Sequence, residues 1–378
     1  MKDNDATPDG LTTSAFAVAT EEWDAFVEGN PLGSYLQRSA WARVKAANGW
    51  TMARVIAPAA VDEPGIGAQL LLRRPRMVPW AFAYAPRGPV ADAWTSTALA
   101  RFTDTLRGAR LPRVSHVRID PEIEAGGPLD PGGGLGAALD DLGWRAAPAI
   151  QPATTRLIDL TTGEPALWDG LRNKWRQYVN KARTLGVTVG EPVGDPIAPF
   201  YRIYRETAAR AGFLIRTEQA YRDVWDAYRP SGDATMLIAS DAGGAPQAAL
   251  FLIRNGSRVV EPYGGMTAAG AELRANYLLK WEAIRRAAMT GGTVYDMWGL
   301  AQAGIAHFKA GFGGREVRYI GARDLVLSEP GRRFYVTAQA ARVQLARRRA
   351  GLPTAGSAAD GTTRKSDTPG GDHEGDDT

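Results

Sequence analysis

Residues 261–321 read EPYGGMTAAGAELRANYLLKWEAIRRAAMTGGTVYDMWGLAQAGIAHFKAGFGGREVRYIG, and this stretch decides the fold. Residues 276–288 carry apolar side chains at helical spacing, which predicts an amphipathic helix. Short apolar runs up to Tyr263, over residues 294–298 and over residues 317–321 are bounded by glycine and predict strands. The alternation of strands with helices indicates an α/β protein.

The glycine-rich part of this stretch places one lysine in an unusual setting. Residues 304–314 predict a short helix that opens into a bend of three glycines. Lys309 lies there between Phe308 and Phe312, in a chain with seven lysines against 38 arginines. We therefore take Lys309 as a candidate functional residue. The structural alternative is a lysine on the exposed side of a short helix.

Length and composition limit the possible classes of protein. A chain of 378 residues is longer than most domains that fold around a single hydrophobic core, and this length predicts two domains. Its 44% hydrophobic and 23% charged content is typical of a soluble globular protein. No apolar run is long enough for a membrane span, and the acidic first ten residues are unlike a signal peptide. We expect a cytoplasmic location, with the inner face of the membrane as an alternative.

The residue types exclude several kinds of chemistry. The chain has no cysteine, which excludes disulfides and thiolate nucleophiles, and its histidines are His116, His307 and His373. Three histidines and no cysteine leave too few side chains for a histidine triad or a zinc site. We predict no metal and no cofactor. Any reaction must depend on positioning, carboxylates, tyrosines and cationic side chains.

The net charge of +4 conceals a basic body. Residues 354–378 hold six acidic residues and two basic ones, and without them 43 basic and 35 acidic residues give +8. A basic body suits a polyanion such as tRNA, a pyrophosphate-bearing substrate or an anionic membrane. A solvated basic surface is the simpler alternative.

The remaining pattern predicts two groups of elements. The first group has helices at 21–28, within 36–50 from the N-cap Ser39 to a stop at residues 48–49, at 94–107 and at 134–142, and strands at 52–57, 68–73, 81–85 and 114–119. The second has a strand at 154–160, single helices at 167–185 and 200–212, and strands at 235–240, 248–254 and 257–263. The helix at 167–185 carries a basic exposed side. A strand at 324–327 and an arginine-rich helix at 332–349 follow, and that helix could contact lipid or tRNA or only cap the first domain.

The order of five motifs resembles the C-terminal half of the Fem aminoacyltransferases (the FemABX family). The motifs are Tyr-Gly-Gly, Asn-Tyr-Leu-Leu-x-Trp-Glu-Ala-Ile, Tyr-Asp-x-x-Gly, Gly-Ile-x-x-Phe-Lys-x-Gly-Phe-Gly-Gly and Tyr-Ile-Gly. The resemblance extends over residues 36–327 and implies two tandem GNAT-like acyltransferase domains, each with a mixed sheet. We expect domain 1 at 14–150, rejoined by 322–350, domain 2 at 151–321, a disordered N-terminus at 1–13 and a disordered acidic tail at 351–378. No coiled-coil arm is evident, as in the shorter members of the family.

The resemblance also implies roles for individual residues. Lys309 would stabilise developing negative charge or hold the tRNA terminus, and Asp92 matches a carboxylate proposed as a general base. Lys45, Arg216 and, less closely, Tyr221 match residues that hold the diphosphate of the cell-wall precursor. Tyr263 is a candidate hydrogen-bond donor in the same cleft.

Each of these residues has a purely structural alternative. Asp92 could cap the helix that begins near Thr95, and Arg216 could pair with Glu218 on the surface. Lys45 could be an exposed helix lysine. Tyr263 could belong to the core.

The implied reaction joins an amino acid to the cell-wall precursor. The amine of the stem peptide attacks the ester of an aminoacyl-tRNA, and the acceptor is a lipid-linked or UDP-linked muropeptide. Peripheral membrane contact is consistent with this function, and no DNA partner is expected. An acyl-CoA-dependent GNAT N-acyltransferase acting on a small amine is the alternative. Its CoA-binding loop pattern is not matched, since the nearest string, residues 318–323, ends in arginine and lies in a predicted strand. A non-catalytic tRNA- or precursor-binding module is the third possibility.

Overall fold

A computed structural model describes residues 19–59, 64–75, 78–109, 111, 113–300 and 303–349. The segments predicted to be disordered, 1–13 and 351–378, lie outside the described residues. Residues up to Arg332 belong to one compact unit, and residues from Arg333 belong to a second, small unit. Among the described residues, no helix is long and apolar enough to cross a membrane.

Strands and helices alternate along the described part of the chain. The strands are β1 (Thr51–Ala57), β2 (Ile66–Arg73), β3 (Ala81–Ala85), β4 (Val90–Ala91), β5 (Val114–Ile119), β6 (Trp144–Ala146), β7 (Thr154–Asp159), β8 (Thr188–Gly190), β9 (Ala234–Ser240), β10 (Pro246–Asn255), β11 (Arg258–Met266), β12 (Val294–Asp296), β13 (Arg315–Arg318) and β14 (Arg323–Val326). The helices are α1 (Thr20–Gly29), α2 (Ser39–Ala46), α3 (Ser96–Gly108), α4 (Gly134–Asp141), α5 (Glu164–Asp169), α6 (Asn173–Thr184), α7 (Ile197–Ala211), α8 (Glu218–Tyr228), α9 (Ala268–Glu272), α10 (Ala275–Met289), α11 (Ala303–Ala310) and α12 (Glu329–Arg349).

The strands form two mixed sheets. Sheet 1 has the order β1-β2-β3-β5-β14-β6, with β4 paired to β2, and sheet 2 has the order β13-β7-β12-β11-β10-β9-β8. In sheet 1 the β3–β5 pair is parallel, and in sheet 2 the β11–β12 pair is parallel. The predicted α/β fold with two mixed sheets is confirmed. The residue boundaries given above for the two domains stay a prediction.

Helices cover both faces of sheet 2. One face packs against α5, α6 and α10 through Leu171, Val179, Leu278 and neighbouring apolar side chains. The opposite face packs against α7 and α8, and the segment from Tyr35 to Val44 joins the same cluster. Because this N-terminal segment packs on sheet 2, it contacts side chains that are more than 150 residues away in the sequence.

Two predicted helix boundaries were wrong. Ser39 is the first residue of α2 and not its N-cap, because the Asp24 carboxylate accepts hydrogen bonds from its backbone N–H (2.7 Å) and its hydroxyl (2.9 Å). A 3₁₀ turn at Tyr35–Gln37 precedes α2. The single helix predicted at 167–185 is broken between α5 and α6, where the Arg172 N–H donates to the Gly311 carbonyl at 2.9 Å. A tertiary contact thus overrides the helical pattern.

The helix α8 was not predicted. Its buried residues Tyr221, Val224 and Tyr228 follow helical spacing, and this was the signal for it in the sequence.

Candidate active site

A cleft with aromatic walls brings three of the predicted residues together. It has a volume of about 200 Å³, and we call it the aromatic cleft; its lining residues are Tyr35, Leu36, Trp41, Gln151, Tyr204, Leu214, Ile215, Arg216, Tyr221, Pro262, Tyr263 and Trp298. The lining residues come from several elements: the 3₁₀ turn at Tyr35–Gln37, the loop between α7 and α8, strand β11 and the loop after β12. Arg216, Tyr221 and Tyr263 are the predicted residues among them.

Arg216 provides the positive charge of the aromatic cleft. Its backbone N–H donates to the Tyr221 hydroxyl at 3.2 Å, and its carbonyl accepts a hydrogen bond from the Tyr201 hydroxyl at 3.3 Å. The surface pair with Glu218 was the wrong alternative, because Glu218 pairs with Arg222 at 3.2 Å. Arg216 has no carboxylate partner within 4 Å among the described residues. Its guanidinium is therefore available to an anion.

The tyrosines of the aromatic cleft stay neutral. The rings of Tyr221 and Tyr263 meet edge to face with centroids 5.1 Å apart, and Tyr204 packs against both. Burial raises the pKa of Tyr263, and the Arg216 charge only partly offsets this. Burial likewise raises the pKa of Tyr221 to about 12. Tyr263 thus packs against the hydrophobic core and also lines the cleft. Its hydroxyl remains a hydrogen-bond donor at neutral pH.

Lys45 lies beside the aromatic cleft on α2. Its ammonium is 4.3 Å from the centroid of the Trp41 ring. Burial, together with the smaller effect of the positive charges of Arg216 and Arg73, lowers the pKa of Lys45 to about 7. The exposed helix lysine of the structural alternative is therefore incorrect, since Lys45 is half-buried and electrostatically coupled to Arg216.

Trp41 adds a hydrogen-bond donor that the sequence did not single out. The ring is 3% exposed, and its indole N–H has no acceptor among the described residues. A buried donor without a partner costs free energy unless a bound molecule supplies an acceptor.

Lys309 lies on α11 with its ammonium turned toward backbone carbonyl groups. It donates to the carbonyl oxygens of Met297 (2.5 Å), Trp298 (3.2 Å) and Gly299 (2.9 Å). Burial lowers the pKa of Lys309 to about 8; Glu261 and Asp296 oppose this shift and Lys280 adds to it. An ammonium has three donor hydrogens, and three carbonyls take them here. The structural alternative, a lysine on the exposed side of a short helix, is thus wrong, and the functional role of Lys309 stays a prediction.

The segment that Lys309 holds is strained. Trp298 has a φ of 57°, in the left-handed region, which costs a bulky residue about 1–2 kcal/mol. Its backbone N–H donates to the Asp296 carboxylate at 2.8 Å. Its ring lines the aromatic cleft, 6.1 Å from the ring of Tyr35.

Sheet 2 opens next to this segment. Strands β11 and β12 pair in parallel only over Arg258–Val260 and Val294–Asp296, while β11 continues to Met266. Glu261 follows the paired part and is buried with Lys280 and Tyr295, both of which donate to its carboxylate. Neither Glu261 nor Lys280 was predicted as part of the site. The sequence signal for the buried pair was Lys280, a lysine on the apolar face of the helix predicted at 276–288.

A buried ionic network lies behind the Trp298 ring. The Arg258 guanidinium is 2.5 Å from the carboxylates of both Glu122 and Asp296. The Arg87 guanidinium is 3.2 Å from Glu122, and its centre is 5.0 Å from the Trp298 ring centroid. Arg87 and Glu122 follow strands of sheet 1, whereas Arg258 and Asp296 belong to sheet 2. The network therefore joins the segments of the two sheets.

The structure does not bring Asp92 into the aromatic cleft. Asp92 is exposed and follows β4, where its carboxylate accepts a hydrogen bond from the Gly65 N–H at 3.2 Å. The alternative that Asp92 caps α3 is wrong, because the Thr95 hydroxyl accepts from the Ala98 N–H at 3.0 Å.

A larger cavity of about 600 Å³ lies between α10 and strands β8 to β11, and it contains none of the predicted residues. Its arginines are engaged: Arg254 donates to Thr290, Arg285 pairs with Glu282, and Arg286 donates to the Val189 carbonyl. The aromatic cleft is the better candidate site, because it combines a guanidinium, an indole donor and several phenols around one space.

Family models match both halves of the chain. The FemAB family model matches residues 18–126, and the acetyltransferase (GNAT) domain model matches residues 170–310. The first range covers strands of sheet 1 and the second covers most of sheet 2.

Known proteins resemble the chain in sequence and in fold. Lipid II:glycine glycyltransferases of Staphylococcus aureus, strains MRSA252 and USA300, are each 27% identical over 230 residues, which cover 58% of this chain and 53% of theirs. The chain thus matches about half the length of these relatives. The crystal structure of FemX superposes with a TM-score of 0.73 at 22% identity, covering 83% of this chain and 97% of FemX. L-PGS from Bacillus licheniformis superposes with a TM-score of 0.50 at 13% identity, covering 88% and 98%.

The FemX superposition includes strands of both sheets, and the range matched by the GNAT model includes β8 to β12 of sheet 2. The chain accordingly resembles the Fem family in sequence and has the fold of FemX, with two tandem GNAT-like mixed sheets.

Proposed function

We propose that this protein transfers an amino acid from an aminoacyl-tRNA to the stem-peptide amine of a peptidoglycan precursor. The observation that carries the proposal is the aromatic cleft, which is lined by Arg216 and by Trp41 with its unpartnered indole N–H, and beside which Lys45 lies. Two cationic groups and a neutral donor suit a diphosphate. The curated relatives are named for lipid II as acceptor, and we propose a lipid-linked precursor before a UDP-linked one.

The reaction needs little beyond positioning. The amine nitrogen of the acceptor attacks the ester carbonyl carbon, a C–N bond forms, and the ester C–O bond breaks. The ribose oxygen leaves with the proton that the amine loses. We propose that the Tyr263 hydroxyl donates to the carbonyl oxygen as negative charge develops there. Proximity supplies most of the remaining acceleration, because the ester is already activated. A general base at Asp92 would require a rearrangement of its loop.

The donor RNA is proposed to lie along α6. Lys174, Lys181 and Arg183 are exposed on this helix, and Arg172 is exposed immediately before it. The helix contacts α11 directly, since the Trp175 indole N–H donates to the Phe308 carbonyl at 3.0 Å. Phosphates bound along α6 would therefore bring the charged terminus of the RNA close to the helix that carries Lys309.

A donor comparison tests the proposed function. The protein is incubated with a lipid-linked muropeptide and either tRNA charged with labelled amino acids or labelled acetyl-CoA. We expect label in the lipid fraction only with charged tRNA, and none after treatment of the tRNA with RNase. Transfer from acetyl-CoA without transfer from tRNA would replace the proposal with the acyl-CoA alternative. A parallel reaction with a UDP-linked muropeptide identifies the acceptor.

The affinity for the acceptor is expected to fall as the pH rises above about 7. Lys45 has a pKa of about 7 in the free protein, and a bound diphosphate favours its protonated form. Above this pKa, Lys45 must take up a proton when the acceptor binds. The affinity for the acceptor therefore falls with rising pH, by up to about tenfold for each pH unit. The dissociation constant of a UDP-linked muropeptide, measured by calorimetry from pH 6 to 9, checks this. Lys45→Arg serves as the control: it should flatten the profile, and an unchanged profile in this variant would assign the effect to another group such as Lys309.

Peripheral membrane contact is proposed for α12. Residues 329–349 contain six arginines and one acidic residue, and Phe334, Val336 and Leu345 are each 42–50% exposed. Exposed apolar side chains among arginines suit an anionic bilayer better than RNA. We expect cosedimentation with phosphatidylglycerol vesicles, at least tenfold weaker with phosphatidylcholine alone.

The double variant Phe334→Ser/Leu345→Ser should lose most of this vesicle binding. Val193→Ser, which changes a fully exposed apolar residue elsewhere, should retain it. Equal binding by all three proteins, or binding to RNA but not to vesicles, would contradict the assignment.

A further inference from the structure

The ammonium of Lys309 is committed to the backbone of one short segment. Its three contacts, at 2.5, 3.2 and 2.9 Å, go to consecutive carbonyl oxygens of residues 297–299. These contacts use every N–H that an ammonium can donate. In this arrangement the ammonium faces the backbone, and Lys309 is not among the residues that line the aromatic cleft.

The segment held by Lys309 carries a side chain of the aromatic cleft. Trp298 adopts the left-handed conformation with a φ of 57°, which a bulky residue keeps only when its surroundings enforce it. Its ring is flanked by the Arg87 guanidinium at 5.0 Å and by the Tyr35 ring at 6.1 Å. The Asp296 carboxylate fixes its N–H at 2.8 Å. Lys309 on one side and Asp296 on the other thus determine where the indole lies.

We propose that Lys309 is a positioning residue that acts through Trp298, holding the indole in the wall of the aromatic cleft and so setting the affinity for the acceptor. The ring lines the same cleft as Arg216 and Tyr263, and the acceptor packs against its apolar face. Release of the three carbonyls lets the strained segment relax and moves the ring. The inference depends on the aromatic cleft being the acceptor site, as proposed above, but not on the identity of the donor.

A double-mutant cycle tests the proposal without any donor. The variants are Lys309→Met, Trp298→Ala and the double variant, and the probe is a UDP-linked muropeptide whose dissociation constant is measured by calorimetry. We expect each single variant to weaken binding about tenfold, and the double variant to be no weaker than either alone, because both remove the same contact. Lys309→Arg, which keeps cationic donors near the carbonyls, should recover part of the affinity.

Other outcomes overturn the inference. If Lys309→Met lowers kcat and leaves the affinity for the probe unchanged, Lys309 acts on the donor or the transition state. Additive losses in the double variant would also separate Lys309 from Trp298. Should Lys309→Met fail to fold, as judged by near-ultraviolet circular dichroism, Trp298→Ala decides alone, and unchanged affinity contradicts the proposal. If the wild-type protein does not bind the probe, the proposed acceptor site fails together with this inference.

Discussion

Arg258→Met is expected to lower the free energy of unfolding by about 3–5 kcal/mol, because it leaves two carboxylates buried without their partner. The Arg258 guanidinium is 2.5 Å from both Glu122 and Asp296, and all three side chains are at least nine-tenths buried. Methionine has a similar length, so the effect reports the lost charge more than lost packing. Urea unfolding followed by circular dichroism measures it.

The loss should grow with pH. Burial raises the pKa of Glu122 even with Arg258 and Arg87 nearby, and removal of Arg258 raises it further. Above the pKa of Glu122 in the unfolded chain, the folded state retains a proton that the unfolded state has released. Folding stability therefore falls as the pH rises through this range, and it falls more in the variant. We expect a smaller deficit at pH 5 than at pH 8.

Arg222→Met provides the matched control. Arg222 also contacts two carboxylates, Asp195 at 2.8 Å and Glu218 at 3.2 Å, but all three side chains are partly exposed. Solvent screens such a pair, so the expected change is within about 1 kcal/mol. If the two variants lose equal stability, burial is not what makes the Arg258 network important.

Arg216→Ala is expected to weaken binding of the acceptor about tenfold to a hundredfold. A hydrogen bond to a charged group contributes about 1.5–3 kcal/mol, and 1.4 kcal/mol corresponds to a factor of ten. The hydrogen bond between the Arg216 backbone and Tyr221 does not involve the side chain, so the loop should keep its position. The dissociation constant of a UDP-linked muropeptide gives the readout.

Two variants make the Arg216 result specific. Arg205→Ala removes an exposed arginine on α7 outside the aromatic cleft, and we expect less than a twofold change. Arg216→Lys should recover only part of the affinity, because an ammonium lacks the two-pronged geometry of a guanidinium. Equal losses for Arg205→Ala and Arg216→Ala would show a general effect of charge and contradict a specific site.

Much of the fold could be predicted from local patterns. Strands β1, β5, β7 and β10 are runs of apolar residues between turns, and each lies close to its predicted range. A buried strand requires apolar residues along its length, so the position of such a strand can be recognised in the sequence. The break between α5 and α6 could not be predicted in this way, because the contact between Arg172 and Gly311 joins positions far apart in the chain.

The aromatic cleft was predicted in part. Arg216, Tyr221 and Tyr263 were identified, whereas Tyr35 and Trp298 were not, because an aromatic residue that lines a cleft has the same sequence pattern as one in a core. The three acceptors of Lys309 are backbone carbonyls, which leave no trace in side-chain identity. The partner of Arg258 could not be chosen either, since Glu122 is remote in sequence and any of many carboxylates was possible.

The central claim is tested most directly by tandem mass spectrometry of the product formed from a lipid-linked muropeptide and charged tRNA. The account predicts a mass gain of one amino acid, joined by an amide bond to the free amine of the stem peptide, and no product when that amine is acetylated beforehand. The mass increment identifies the amino acid. An intact acceptor after incubation with every charged tRNA, or an added group at any position other than this amine, would contradict the account.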